Sequence, residues 1–205
     1  MHSYSTDNSL RPKIIGFIGI AGFLAIGGLS FLFQKLTAFA GLSFTFSAPS
    51  VGLMFTAFYL FFTKLLWKTS IAQKSGLVKV PDLNGKWEGE INSNYSEDGK
   101  DKSTEADLEI TQNWRKIEIE LRTDSSKSRS KGATLLIGHA KPILNYQYEN
   151  EPDADTAESM NIHRGTAELE YRTEEGKELL EGNYYTGPNR KNQGKLRFER
   201  KGTQN

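Results

Sequence analysis

Residues 14–33 read IIGFIGIAGFLAIGGLSFLF, a run of 20 residues without a charged side chain. At about 1.5 Å per residue, a helix of this length reaches roughly 30 Å, the thickness of a bilayer's hydrocarbon core. A second apolar run, residues 48–66, follows almost at once and carries one charge, Lys64, near its end. The two runs predict transmembrane helices at 14–33 and 48–66.

A cleaved secretory signal is the alternative interpretation of the first run. Arg11 and Lys13 would form its basic end, and Ala38-Phe39-Ala40 resembles a cleavage site. The apolar core of a signal usually has about 7 to 15 residues, fewer than this run, and here a second apolar run follows. We therefore expect a retained helix.

The charges that flank the two runs predict their orientation. Arg11 and Lys13 precede the first run, whereas the loop between the runs, residues 34–47, contains only Lys35. The end of the second run is followed by a cluster of lysines: Lys64, Lys68, Lys74 and Lys79. The positive-inside rule places an N-terminal tail (1–13) and everything after the second run in the cytoplasm.

Small and hydroxylated residues share one face of the second predicted helix. Gly52, Thr56, Tyr59 and Thr63 fall at i, i+4, i+7 and i+11. In lipid, helices associate through close backbone packing and interhelical hydrogen bonds. This face either holds the two membrane helices together or also mediates assembly between protomers.

Beyond a linker at 67–80, the chain changes to alternating polar and apolar residues, which is typical of antiparallel β structure. Ile117, Ile119 and Leu121, for example, alternate with charged residues. We predict strands at 85–93, 104–113, 115–123, 132–140, 143–150, 161–172, 178–186 and 194–201. Eight consecutive strands with one apolar face predict a closed, antiparallel up-and-down barrel at 81–201, followed by a short tail at 202–205.

The predicted connections are hairpins at Asp98-Gly99, at residues 125–131 and at Glu174-Glu175-Gly176. A barrel of eight strands encloses either a packed core or one small ligand. This architecture favours a binding domain over an enzyme.

Composition narrows the function further. The formal net charge of +1 argues against binding a DNA or RNA polymer. The absence of cysteine excludes disulfides, thiolate catalysis and cysteine metal sites. His2 lies in the predicted tail, His139 and His163 lie in predicted strands, and no metal-ligand or catalytic motif occurs. We expect neither catalysis nor a bound metal or cofactor.

Aromatic residues of the predicted strands lie close to basic ones. Aromatic rings stack on bases, and arginine binds phosphate in a planar, bidentate manner. Such a set suits a small nucleotide, although inward aromatic residues are also common barrel core residues, as we expect for Trp87. The candidate ligand-binding residues are Tyr146, Tyr148, His163, Arg164, Tyr184, Tyr185 and Arg190.

The whole chain resembles the two-transmembrane, β-strand-rich effectors of bacterial CBASS antiphage systems. The resemblance lies in the order of two N-terminal spans, a short linker and one β domain. Four short blocks strengthen it, at 83–89 (LNGKWEG), 145–152 (NYQYENEP), 163–165 (HRG) and 182–185 (GNYY).

The resemblance implies a receptor for a cyclic dinucleotide made by a partner nucleotidyltransferase upon phage infection. Ligand binding then drives homo-oligomerisation through the membrane helices, disruption of the inner membrane and abortive cell death. Two other classes stay open: a membrane-tethered, lipocalin-like binder of an apolar small molecule, and a membrane scaffold protein. An interior lined only by aliphatic and aromatic groups would favour the lipocalin-like binder. Asn145, His163 and Arg164 pointing inward would instead favour a polar anionic ligand, and a filled barrel without a small-molecule site would favour the scaffold.

Overall fold

The structure, a computed structural model, describes residues 1–7, 10–41, 50–76, 78–94, 102–155, 161–187 and 192–202. The chain forms two compact units. One combines Met1–Asn8 with Val80–Asn205, and the other is Ser9–Lys79. The second unit is therefore an insertion in the first, because the chain leaves the first unit after residue 8 and returns to it at residue 80.

The inserted unit is helical. Its elements are α1 (Leu10–Phe39), α2 (Val51–Lys64), a 3-10 turn (Leu66–Lys68) and α3 (Ser70–Lys74). The hydroxyl of Ser50 caps α2 by accepting a hydrogen bond of 3.2 Å from the Leu53 N–H. Residues 10–39 and 51–68 are long and apolar enough to cross a membrane, so the two predicted membrane helices are present, and α1 extends beyond both ends of the predicted range.

A glycine lets the two long helices pack closely. A Cβ added to Gly22 of α1 would lie 3.4 Å from the backbone nitrogen of Phe55 in α2. Outside this contact, large apolar side chains of α1 are exposed, including Phe17, Phe23 and Phe31 at 61–66%. Exposed apolar surface of this extent is unfavourable in water and ordinary in lipid.

The described residues of the first unit form a closed β-barrel, as predicted, with nine strands. They are β1 (His2–Thr6), β2 (Gly85–Ser93), β3 (Lys102–Gln112), β4 (Lys116–Arg122), β5 (Ser126–Leu136), β6 (Ile143–Pro152), β7 (His163–Glu174), β8 (Lys177–Thr186) and β9 (Gln193–Arg200). Their order around the barrel is β1-β4-β3-β2-β9-β8-β7-β6-β5, with β4 and β5 also paired directly. From β2 to β9 consecutive strands are neighbours and antiparallel.

The extra strand is β1, which lies within the segment predicted as a tail, so the predicted strand count was wrong by one. β1 pairs antiparallel with β4 and parallel with β5, between which it lies. Its Tyr4 is only 4% exposed and contributes a ring to the core. Five residues are too few for alternation to reveal a strand, and the pairing joins segments more than a hundred residues apart.

Three local predictions on the barrel have different outcomes. The predicted loop at 125–131 was wrong, because all but its first residue belong to β5, and His139 lies in the connection after β5 rather than in a strand. Asp98-Gly99 lies outside the described residues. The predicted turn after Glu174 is confirmed: Glu175 and Gly176 have φ values of 50° and 81°, as a two-residue type I′ hairpin requires.

Candidate functional site

One end of the barrel interior is closed by apolar side chains, and we call it the apolar end. Trp87 and Leu83 are fully buried there, and the Trp87 indole N–H donates to the Leu83 carbonyl at 3.2 Å. The Arg200 guanidinium lies 4.6 Å from the Trp87 ring centre. Trp87 is thus a core residue, as the sequence suggested.

The interior changes character toward the opposite end, which we call the polar end. It carries Ser126 and Ser128 of β5 and Asn150 of β6, all buried. The Ser128 hydroxyl donates to Oδ1 of Asn150 at 2.7 Å. Buried hydroxyl and amide groups are costly unless they have partners, and this hydrogen bond provides each member of the pair with one.

Three of the predicted tyrosines project into the interior. Tyr146 and Tyr148 share the inward face of β6, are 5% and 8% exposed, and have ring centres 6.2 Å apart. Burial, and to a smaller extent the neighbouring Tyr148, raises the pKa of the Tyr146 phenol well above its usual range, so it stays protonated and can donate a hydrogen bond. Tyr184 occupies the same side of β8 as the core residue Leu180.

Small residues on the neighbouring strands make room for these rings. Tyr146 lies beside Ala133 on β5 and Ala167 on β7. Tyr148 lies beside Gly165, where an added Cβ would collide with the Tyr148 phenol. This pattern of large inward rings beside alanine and glycine sets the shape of the interior near the polar end.

His163 and Arg164 lie on opposite faces of the barrel wall, because successive residues of a strand alternate. His163 pairs with Asn150 across β6 and β7, on the inward side. Arg164 points outward with its side chain 82% exposed, and its Nε donates to Glu149 at 2.8 Å. Lys131 and then Arg164 lower the pKa of that carboxyl.

The remaining candidates do not join this cluster. Tyr185 is 50% exposed on the outward face of β8, and it lines a groove of about 490 Å³ whose lining includes Asn145 and Thr166 as well as Tyr146. Arg190 lies outside the described residues. Of the seven predicted ligand-binding residues, the structure therefore brings four together inside the barrel: Tyr146, Tyr148, His163 and Tyr184.

The candidates predicted from the sequence did not include the polar neighbours of these four residues. Ser126, Ser128 and Ser130 alternate with charged residues and are all buried, but the segment resembles a polar loop in the sequence. Asn150 follows Tyr146 and Tyr148 at the same spacing of two, which is the signal that could have identified it. In the part of the chain that the structure describes, no group of three His, Asp or Glu side chains could hold a metal ion.

Comparison with known proteins identifies the family of this domain. The family model described as "Cap15, cyclic dinucleotide receptor domain" matches residues 78–200, the range that contains β2 to β9. The chain belongs to the Cap15 family. A "CD-NTase-associated protein 15" of Yersinia aleksiciae is 32% identical over 94% of this chain and 88% of its own length. A protein of the same name from Staphylococcus schleiferi is 32% identical over 62% of this chain and 64% of its own length.

Membership of the Cap15 family confirms the resemblance to CBASS effectors and identifies the barrel as a cyclic dinucleotide receptor domain. It also indicates a receptor rather than an enzyme. Together with two helices suited to crossing a membrane, it makes the chain a membrane-associated effector with a nucleotide-sensing barrel.

Proposed function

We propose that this protein is a CBASS effector that binds a cyclic dinucleotide inside the polar end of its barrel. The observation that carries the proposal is the inward face of β6, on which Tyr146, Tyr148 and Asn150 alternate with outward residues and meet Ser128 and His163 of the neighbouring strands. It combines buried rings, hydroxyls and an amide with the half-buried imidazole of His163.

Each group of this region suits part of such a ligand. Tyrosine rings stack on base faces, and the amide of Asn150 can donate to and accept from a base edge. Hydroxyls of serine and tyrosine, together with His163, can donate to phosphate oxygens. Hydroxyl and amide groups line this part of the interior beside the aromatic rings, whereas a lipocalin-like binder of an apolar molecule would have an interior lined only by aliphatic and aromatic groups.

The membrane arrangement follows from the flanking charges. Arg11 and Lys13 lie at the start of α1, and Lys64 and Lys68 lie at the end of the second apolar segment, whereas the opposite ends carry only Lys35, near the end of α1. This charge bias supports an orientation in which both termini and the barrel face the cytoplasm of a bacterial inner membrane. There the barrel has direct access to a nucleotide made by a partner nucleotidyltransferase.

Ligand binding then drives assembly of the membrane helices, loss of membrane integrity and abortive cell death. Gly52 and Thr56 are exposed, and an added Cβ at Gly52 would meet no atom within 4 Å. Tyr59 stacks on Phe55, and Thr63 is buried. The open part of the predicted assembly face is therefore Gly52–Thr56, whose small side chains permit a close approach by a second protomer.

Calorimetric titration of the full chain in lipid nanodiscs tests the proposal. The panel consists of cyclic dinucleotides with every pairing of adenine, guanine, cytosine and uracil, joined by 3′,5′ linkages. We expect saturable binding of one member or a few. The same nucleotide should release a trapped dye from liposomes that contain the protein, and the absence of binding across the panel by folded protein would refute the proposed function.

A further inference from the structure

Strand β1 occupies a seam in the barrel wall that its two neighbours would otherwise close. Next to the turn that joins them, β4 and β5 pair directly: Glu120 with Arg129, Leu121 with Ser128 and Arg122 with Lys127. Farther from the turn the two strands separate, and β1 lies between them. His2 and Ser3 pair with β4, whereas Tyr4, Ser5 and Thr6 pair with β5. The pairing partner of β1 thus changes from β4 to β5 along its five residues.

Ser130 marks the point where β4 and β5 separate. Its hydroxyl oxygen accepts a hydrogen bond of 3.0 Å from the Ile119 N–H of β4, and it lies 2.8 Å from Nε2 of His2 in β1. The pairing of β5 with β6 shifts register directly after Ser130. Ser130 therefore contacts both the strand that occupies the seam and the strand that would close it.

The β4–β5 ladder could continue into the seam in the same register. The next pair would be Ile119 with Ser130, which already touch, and the pair after that would place Glu118 opposite Lys131. These two charges are complementary. In the present arrangement Glu118 is 3.1 Å from the N-terminal ammonium of Met1, and Lys131 is 2.9 Å from Glu149. Closing the seam and docking β1 are mutually exclusive uses of the same strand edges.

β1 is also directly connected to the first membrane helix. It ends at Thr6, and α1 begins at Leu10. The carboxylate of Asp7 accepts hydrogen bonds from the N–H groups of Ile137 and Gly138, at 2.8 and 2.9 Å, which fixes the end of β1 to the barrel. As long as β1 is docked, the chain that enters α1 is held by the barrel.

The polar end and the seam share strand β5. Ser126 and Ser128 face the proposed ligand region, and Ser130 follows on the same inward side two residues later. A ligand that contacts Ser126 and Ser128 would therefore touch β5 two residues before the point where its ladder with β4 stops. Coupling between two sites requires such an element with two exclusive arrangements.

We propose that β1 and an extended β4–β5 ladder compete for this seam, and that cyclic dinucleotide in the polar end favours the ladder. Nucleotide binding then releases β1 and frees the N-terminal connection of α1 for assembly. This inference rests on the proposed function and adds the step between ligand binding and the membrane helices.

Hydrogen exchange of the full chain in nanodiscs tests the competition directly. With saturating nucleotide from the panel, amides of residues 2–6 should exchange faster, and those of residues 117–119 should exchange more slowly. Unchanged or slower exchange of residues 2–6 in the presence of bound nucleotide would overturn the proposal.

A disulfide that holds β1 against β5 provides the functional test. Because the chain contains no cysteine of its own, such a bond can form only between introduced cysteines. Ser5 and Thr134 are register partners with hydroxyl oxygens 2.8 Å apart, so S5C/T134C can join β1 to β5. The control is E88C/D107C, an exposed pair across β2 and β3. In liposomes, the oxidised S5C/T134C protein should not release dye, because the disulfide prevents β1 from leaving the barrel. Its affinity for nucleotide should fall by no more than about tenfold, because the disulfide does not change the state in which β1 is docked.

Reduction should restore dye release by S5C/T134C, and the oxidised control should behave like the unmodified chain. Dye release at the normal rate by protein that mass spectrometry shows to be crosslinked would refute the proposal. Complete loss of nucleotide binding on crosslinking would refute it too, because the docked state is the proposed resting receptor.

Two variants separate this inference from the proposed function, since they are measured without nucleotide. Tyr4→Ser removes the buried ring of β1, and Ser5→Pro removes a backbone N–H at an exposed position with no change to the core. Both should speed exchange of residues 2–6 and slow exchange of residues 117–119. If residues 117–119 exchange faster in both variants, the competition does not exist, whether or not the panel contains the ligand.

Discussion

The hydroxyl of Ser128 donates a hydrogen bond of 2.7 Å to Oδ1 of Asn150 inside the barrel. The two residues are direct register partners on β5 and β6, and both are buried. Leu121 is the partner of Ser128 on its other side, and His163 is the partner of Asn150. The contact therefore fixes the orientation of an amide between an apolar neighbour and an imidazole, at the end of the interior that we assign to the nucleotide.

Asn150→Ala should weaken nucleotide binding by about ten- to a hundredfold, the usual effect of losing hydrogen bonds to a buried amide. Asn145→Ala is the matched control, because Asn145 lies on the same strand and faces outward. Titration of both variants in nanodiscs measures the difference. Equal affinities, with both proteins folded by circular dichroism, would place the ligand elsewhere.

Gly165→Ala should reduce affinity through Tyr148. A methyl group at residue 165 would collide with the Tyr148 phenol and with the Tyr185 carbonyl oxygen, so the ring must leave its position or the strands must separate. Gly132→Ala serves as the control, since an added Cβ there meets no atom within 4 Å and its φ is not positive. Calorimetry reports the affinities, and near-ultraviolet circular dichroism reports the tyrosine environment. A Gly165→Ala protein with normal affinity would show that the position of Tyr148 is not part of recognition.

His163→Ala and Arg164→Ala should differ although the residues are neighbours. His163 faces inward beside Asn150, whereas Arg164 faces outward and pairs with Glu149. We expect a clear loss of affinity for the first variant and a change within about twofold for the second, because an exposed ion pair contributes little. Comparable losses in both titrations would mean that the ligand extends over the barrel rim to the outer face.

Gly52→Leu and Gly22→Leu should affect the membrane helices in different ways. Gly52 has open space around it, so leucine should block contact with a second protomer and abolish dye release with nucleotide affinity unchanged. Gly22 lies against the backbone of α2, so leucine there should separate α1 from α2 within one chain. Crosslinking in liposomes distinguishes the two effects, and undiminished dye release by Gly52→Leu would contradict the assigned assembly face.

Glu120 should make barrel stability depend on pH in the acid range. Partial burial raises the pKa of this carboxyl, but hydrogen bonds from Lys127, Arg122 and Arg129 outweigh that effect and hold it at about 2, against an ordinary value of 4.5. Because the folded-state pKa is the lower one, this contribution is complete above about pH 4.5 and is lost as the pH falls toward 2.

After discounting for the exposed arginines, the contribution is on the order of 1 kcal/mol. Urea unfolding of the full chain between pH 2 and 6 measures it. Glu120→Gln should flatten this part of the profile, and an unchanged profile would show that the cluster of cations contributes nothing to stability.

Sequence patterns predicted most strands closely, because each buries one face and period-two alternation records that burial directly. The bounds of β2 were predicted at 85–93, as observed. β5 was different, since the buried residues at its start are serines. Their hydroxyls have partners in the β4–β5 turn (Thr123) and on other strands (Asn150 and Ile119). No local pattern distinguishes such a segment from a polar loop.

The residues of the candidate site could also be predicted only in part. Alternation identifies Tyr146, Tyr148 and Asn150 as residues of one face, and it requires His163 and Arg164 to lie on opposite faces. It does not show which face points inward, because a shift of one residue exchanges the two faces. The register against β5 and β7 settles that choice, with Tyr146 beside Ala133 and Ala167.

Two apolar helices and an antiparallel barrel can be predicted from the amino-acid sequence alone, because length, hydropathy and alternation are local properties. Three features are visible only in the folded protein: residues 2–6 join the barrel, the helices form an insertion within it, and serines line its polar end. These features depend on pairing between segments far apart in the chain, and the free energy of such pairing belongs to the assembled barrel and to none of its segments.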